Sequence, residues 1–330
     1  MENNQVFDSN GNIQTQPPLP RWENLQHRRV WLNILLFLTT IGSTMMIGAS
    51  LLGYDMFAII QEPARLLSGW QYSFAVLLIL TCHEFGHYFA ARWHKMNVTL
   101  PFYIPLPIPF MFHFGTMGAF IRLKSPLPDR CALMDVAVAG PLAGFVVSLG
   151  FLVYGYATLP DLSGIIAHVE TVHPWAETGG EQGFVLTLGS SLLFSFFNDT
   201  MGQGLIPMSE VYHFPFIFAG WAGLLVTAIN LIPIGQLDGG HIVYALFGRE
   251  AGKVSRLAFW GLGGMTLFLF FERGSVGAMW VPWMIILSLI GLRHPPTYND
   301  KVELNAGRRQ LGWLCILIFI LCFMPLPLHF

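Results

Sequence analysis

Residues 83–87 of this 330-residue chain read His-Glu-Phe-Gly-His. On a helix, two histidines four apart stack on one face. Both imidazoles can then reach a single Zn²⁺, and the glutamate between them can act as general base toward a water on that ion. The pentapeptide sits inside the apolar run "LLILTCHEFGHYFAARW", residues 77–93. Ionisable groups in such a run mark functional sites by default; the plainer alternative is two histidines and a glutamate satisfied by neighbouring helices. The five-residue pattern alone leaves both open.

A catalytic zinc needs a third protein ligand and an open position for water. The candidate is Asp238 in "NLIPIGQLDGGH", residues 230–241. Taken alone, Asp238 reads equally well as a turn residue at a helix end, before Gly239-Gly240. What decides is whether the two motifs reach the same depth, and that depends on the elements carrying them.

Those elements are membrane helices by composition. Of all residues 54% are hydrophobic and 11% charged, against about 25% charged in a soluble domain; mean hydropathy is +0.55. A net charge of −2 and no basic cluster give no support for a nucleic-acid partner. The four cysteines form no disulfide framework: Cys315 and Cys322 share one helix about 10 Å apart in rise, too far to bridge. Residues 1–29 read as a disordered tail, rich in Asn and Gln and broken by Pro17, Pro18 and Pro20. No secretion signal and no Arg-rich, Ser-rich transit segment is visible. A bacterial-type plasma (inner) membrane is therefore expected, with the N-terminus and the active-site opening cytoplasmic.

Seven apolar runs could span a bilayer, at 30–53, 72–91, 136–159, 214–237, 257–271, 276–292 and 311–328. With the N-terminus inside, 15 of the 17 Lys and Arg residues fall on the cytoplasmic side, and only Arg65 and Arg273 fall outside. The opposite orientation inverts this bias. The apolar stretch 184–197 is too short to cross and is expected as an interfacial or re-entrant helix on the outer side, after an external loop at 160–183. The expected fold is an all-α polytopic membrane protein of about 6–7 transmembrane helices. It has a tail at 1–29 and a single integral-membrane domain at 30–330, with the catalytic core at about 70–250. In this threading the second and fourth runs both travel inward, and both motifs lie near their inner ends. His83 precedes Arg92 by nine residues, roughly 13 Å along a helix, which places the site below the surface of the apolar core.

In order and in hydropathy, "HEFGH", "FGTMGAFIRLKSPLPDR", "AGPLAG" and "NLIPIGQLDGGH" resemble the site-2 protease family of intramembrane zinc metalloproteases, peptidase family M50. The resemblance covers about residues 70–250. It implies that His83, His87 and Asp238 bind one Zn²⁺ per chain, that Glu84 is the catalytic base, and that Asn230 helps hold the substrate backbone. It implies a metalloendopeptidase that cuts a transmembrane protein substrate in or near its membrane segment, in regulated intramembrane proteolysis. The rival reading is a catalytically silent zinc-binding membrane protein, a transporter or scaffold. A transporter should show repeated motifs in two halves and polar residues along a path, whereas here the polar residues cluster at one depth.

A peptide bond within a helix is shielded, so such an enzyme must hold its substrate extended. Residues 96–130 carry Pro101, Pro105, Pro107 and Pro109, then Gly115 and Gly118, then "AFIRL". They are expected to form a membrane-associated β-hairpin-like loop whose strand at Gly118, Ala119 and Phe120 pairs with substrate by β-augmentation. Gly140 to Gly144 is a small-xxx-small pattern for close helix packing. His241 reads as a boundary residue rather than a fourth ligand, and Cys82 as packing. His94 and His113 could line a substrate entrance. Unlike many members of the family, the sequence shows no PDZ insertion at 160–213 and no nucleotide-sensing domain. An earlier trimming of the substrate, or a regulatory membrane partner, is therefore expected to control access.

Overall fold

The computed structural model describes residues 6–7, 13–14, 30–54, 56–106, 113–172 and 186–329. The tail expected at 1–29 lies outside them, save a two-residue pairing of β1 (Val6–Phe7) with β2 (Ile13–Gln14). The rest is helical: α1 (Val30–Ser50), α2 (Met56–Gln61), α3 (Trp70–Trp93), α4 (Arg130–Ala157), α5 (Leu162–Val172), α6 (Leu192–Thr200), α7 (Pro215–Asn230), α8 (Asp238–Phe247), α9 (Ala251–Arg273), α10 (Val281–Ile290) and α11 (Ala306–Cys322). Between α3 and α4 lies the hairpin of β3 (Phe102–Pro105) and β4 (Thr116–Phe120). The strand pair β5 (Thr187–Leu188) and β6 (Leu328–His329) ties the C-terminal end to the segment before α6.

Among the described residues, four helical stretches are long and apolar enough to cross a bilayer: Val30–Ser50, Pro63–Trp93, Arg130–Ala157 and Asp238–Ile290; Leu162–Val172 and Pro215–Asn230 are shorter apolar helices. The chain is thus a polytopic helical membrane protein. Its outward faces carry Trp31, Phe89, Leu257, Trp260, Phe271 and Leu289, all exposed, as helices bathed in lipid require. The shared core is aromatic where α3 meets α7: Tyr72 stacks on Phe218 at 5.5 Å, and Phe218 on Trp221 at 5.7 Å. Polar side chains join helices where no water is available. Thr44 on α1 and Ser73 on α3 share a hydrogen bond of 2.7 Å.

Three expectations change. The stretch 184–197, expected as one helix, carries β5 at Thr187–Leu188 and is helical only in α6, from Leu192 to Thr200. The run 214–237 is not one helix. It ends at Asn230, and Asp238 opens a separate helix, α8. Pro233 cannot continue the hydrogen-bond ladder, and Gly235 takes φ +59, so the chain turns there. The stretch 160–183, expected as loop, folds as α5 over Leu162–Val172. Asp161 starts it by accepting from the Gly164 N–H at 3.0 Å. All four cysteines are free.

The 96–130 segment is a hairpin as expected. β3 and β4 are antiparallel, with Phe102 opposite Phe120 and Tyr103 opposite Ala119. The pairing continues irregularly through Thr99 N–H to Arg122 C=O at 3.1 Å and Lys124 N–H to Asn97 C=O at 2.8 Å. Pro107 and Pro109 lie outside the described residues. Asp129 then caps α4, accepting from the Ala132 N–H at 2.8 Å.

Candidate metal centre and active site

α3 carries the histidine pair and α8 the aspartate. His83, Glu84 and His87 are all buried. His83 and His87 Nε2 atoms lie 3.1 Å apart. Asp238 Oδ2 stands 3.4 Å from His83 Nε2 and 3.3 Å from His87 Nε2. Among the described residues these three form the one cluster able to hold a metal ion. Zinc bonds of about 2.0–2.1 Å at tetrahedral angles place ligand atoms about 3.3 Å apart, so the three edges fit a zinc ion. The tautomer fits too. His87 Nδ1 is 2.8 Å from the Val136 carbonyl. A carbonyl only accepts, so Nδ1 carries the proton and the Nε2 lone pair faces Asp238 and His83.

α4 makes this contact possible by coming very close. A Cβ on Gly86 would meet the Ala139 backbone, and one on Gly140 would overlap the His87 ring. The "AGPLAG" stretch is therefore the surface against which a ligand histidine rests. Its Pro141 lies inside the helix.

The cluster opens on a cavity of about 280 Å³. Glu84 lines it, next to the ligand pair. So do Asn230, at the end of α7, and Ala119 and Phe120, at the end of β4. The Asn230 Nδ2 is 3.4 Å from His83 Nε2. Glu84 also accepts from the backbone N–H of Ile121, just beyond β4. Gly118 does not reach the cavity. It sits inside β4 at φ +97, where a Cβ would meet nothing within 4 Å. His94 and His113 do not line the cavity either. His94 Nε2 bonds Asp135 at 2.9 Å, and His113 is buried with Nδ1 accepting from the Gly115 N–H.

Three residues are not evident from the sequence. Gln236 lines the cavity, although it belongs to the "NLIPIGQLDGGH" motif. His294, between α10 and α11, bonds His241 at 2.5 Å. Arg308 opens α11 with two bonds to Asp135, of 2.8 and 2.7 Å. Neither His294 nor Arg308 lies in a motif, and nothing local signals its partner.

The sequence profile of peptidase family M50 matches residues 71–270. This chain belongs to peptidase family M50. The family implies zinc, and His83, His87 and Asp238 are the residues able to hold it. A protein of Arabidopsis thaliana called "Probable zinc metalloprotease EGY1, chloroplastic" is 30% identical over 88% of this chain and 52% of its own length. The rice (Oryza sativa subsp. japonica) protein of that name is 32% identical over 77% of this chain and 40% of its own. "Probable zinc metalloprotease EGY2, chloroplastic" of Oryza sativa subsp. indica is 28% identical over 88% and 49%. The chain thus spans about half the length of these relatives. No solved structure matches it. The relatives' chloroplastic designation corrects one expectation. It overturns the bacterial inner membrane expected above, since these similar proteins are designated chloroplastic.

Proposed function

We propose that this M50 protein is a zinc-dependent intramembrane endopeptidase that hydrolyses a peptide bond in or near a transmembrane segment of a membrane protein, in regulated intramembrane proteolysis. One observation carries the reading: a three-ligand cluster of zinc dimensions and a buried carboxylate face one cavity within an apolar helical bundle. Zinc held by His83, His87 and Asp238, one per chain, supplies Lewis acidity toward a water and toward the scissile carbonyl.

The chain's own groups do the rest. Glu84 takes the proton of the attacking water and passes it to the leaving nitrogen. Asn230, whose amide both donates and accepts, steadies the substrate backbone beside His83. The unwound substrate lies along β4. Among the described residues β4 pairs only with β3, and Ala119, Phe120 and Ile121 line the cavity. A strand laid on that edge recovers the hydrogen bonds that unwinding exposed. Access is controlled by an earlier trimming of the substrate or by a membrane partner.

The test compares the purified protein with Glu84→Gln and Asp238→Ala on a panel of single-span substrates, with zinc measured in each. Glu84→Gln should keep zinc and lose cleavage by at least about 10²-fold. Cleavage surviving in that variant overturns the mechanism. Full zinc in Asp238→Ala removes Asp238 as a ligand. Zinc with no cleavage of any substrate by the unaltered protein favours the silent, non-catalytic reading.

A further inference from the structure

A second pair of histidines meets beside the metal centre. His241 lies one turn beyond Asp238 on α8 and lines the same cavity. His294 comes from the segment between α10 and α11 and touches it with Nε2 against His241 Nδ1, at 2.5 Å. The other nitrogen of His294, Nδ1, bonds the carbonyl of Pro295. That last bond fixes the direction of the chain. A carbonyl cannot donate, so His294 Nδ1 carries a proton. Neutral His294 then offers only a lone pair at Nε2, and His241 Nδ1 must be the donor to it. His241 Nε2 is left as a bare acceptor. It has no hydrogen-bond partner among the described residues, and it is not a sealed-off buried atom, since among the described residues only His329 Nδ1 is buried without a partner. The atom is thus accessible, on a residue that lines the cavity.

We propose that His241 is a substrate-binding residue: its Nε2 accepts a main-chain N–H of the peptide in the cavity, and His294 is the positioning residue that keeps this acceptor bare. The inference rests on the proteolytic reading above. Its logic is one of supply. An extended substrate segment at this depth has lost its helical hydrogen bonds, and each unmet N–H in an apolar setting is costly. The acceptor atoms of His83, His87 and Asp238 are turned on one another, within 4.8 Å. His241 lies outside that cluster and so is free for a peptide.

The support behind His294 is built rather than incidental. The Tyr244 ring stacks on it at 4.3 Å, and the Tyr244 hydroxyl donates to Asp300 at 2.8 Å. Asp300 in turn accepts from Thr297 through its hydroxyl at 2.6 Å and its backbone N–H at 3.2 Å. Burial also holds His294 below the usual histidine range, keeping it neutral. The α8 face that opens with Asp238 thus continues through His241 to Tyr244, each three residues on.

The test uses the full-length protein with ¹⁵N-labelled histidine, His241 being assigned by its loss in His241→Phe. His241 should be protonated at Nδ1 in the unaltered protein. His294→Phe keeps the stacking surface and removes the acceptor, so the His241 tautomer should become mixed. His294→Gln restores an acceptor, and with it the Nδ1 tautomer. Binding of a single-span substrate peptide is then measured in the Glu84→Gln background. His294→Phe should weaken it about five- to tenfold, the worth of one neutral hydrogen bond, and His294→Gln should recover most of that. Zinc content should stay unchanged throughout. An Nε2-protonated His241 in the unaltered protein overturns the proposal. So does equal weakening by Phe and Gln, or loss of zinc in His241→Phe, which would make His241 a metal ligand. If no peptide binds at all, the proteolytic reading fails, while the tautomer measurement still decides the state of His241.

Discussion

Gly140→Ala should strip zinc from this protein, although Gly140 is not a ligand. A Cβ at that position would stand no more than 2.5 Å from three atoms of the His87 ring, Nε2 among them. Ordinary contacts lie near 3.5 Å, so the ring must retreat by about 1 Å. Metal–ligand bonds tolerate about 0.2 Å. Retreat also pulls Nδ1 from the Val136 carbonyl, now 2.8 Å away, and loss of such an orienting bond alone costs about 10- to 100-fold in metal affinity. The expected result is zinc affinity at least about 100-fold weaker, read as zinc per chain across a chelator titration. Two neighbours calibrate it. In Gly144→Ala the new carbon would lie 3.2 Å from His83 Cβ and 3.3 Å from its Nδ1, a crowding of a few tenths of an ångström, so the loss should stay within about tenfold. In Gly150→Ala it would meet nothing within 4 Å, and zinc should be unchanged. Thermal unfolding of the metal-free forms separates a lost site from a lost fold. Gly140→Ala holding zinc as tightly as Gly150→Ala would refute the α3–α4 contact on which this reasoning stands.

The bond between α11 and α4 is open to a stability test. Asp135→Asn should lower the thermal midpoint in detergent by the equivalent of about 1–2 kcal/mol, since Asp135 takes two bonds from Arg308 and one from His94 at only a quarter exposure; an unchanged midpoint would show the cluster to be inert. Asp300 gives a pH dependence. Burial pushes its carboxyl up, but hydrogen bonds from Thr297 and Tyr244 outweigh this and hold it below the ordinary aspartate value. A depressed carboxylate stabilises above the unfolded value of about 3.9 and loses that contribution as pH falls through the lower folded value. The protection of the 297–300 amides from exchange, relative to their intrinsic rates, should therefore fall below about pH 4, and in Asp300→Asn it should be low at every pH. Prolines placed singly along 118–121 should abolish cleavage where the lost N–H faces the free edge of β4, with zinc retained; cleavage by the whole set would exclude strand pairing there.

The metal cluster is legible in the sequence because each of its parts obeys a short-range rule. The spacing of His83 and His87 is a property of any helix; the sidedness of basic residues puts Asp238 at a matching depth, and the family resemblance implies it as the third ligand. What is not legible is either punctuation or long-range contact. Pro233 and Gly235 stand in plain view, yet the continuous hydropathy of 214–237 outweighs them and hides the break at Asn230. α9 begins at Ala251, six residues before its apolar run, because Lys253 and Arg256 lower hydropathy without opposing a helix. The pairing of His241 with His294 spans 53 residues, and no periodicity encodes a partner at that distance. The β-hairpin is legible as poor helix, but its register is not. That register brings Ala119 and Phe120 to the cavity and leaves out Gly118, expected there with them.

One helix with no ligand of its own sets the distance between those that have them. α4 touches His87 twice, through Val136 and through the bare face of Gly140. At its start, Arg130 donates to the carbonyls of Ala245 and Leu246, which are left unpaired at the end of α8; α8 begins with Asp238. Between these contacts Asp135 binds His94, just past α3, and Arg308 on α11. The aspartate helix and the histidine helix are therefore both gauged against α4. A three-atom site with edges of 3.1–3.4 Å tolerates little error in that gauge. Substitutions on the α4 face toward α3 should act on the metal, and those at Arg130 on the placement of Asp238, so the two classes should differ in which ligand is displaced rather than in whether zinc is weakened.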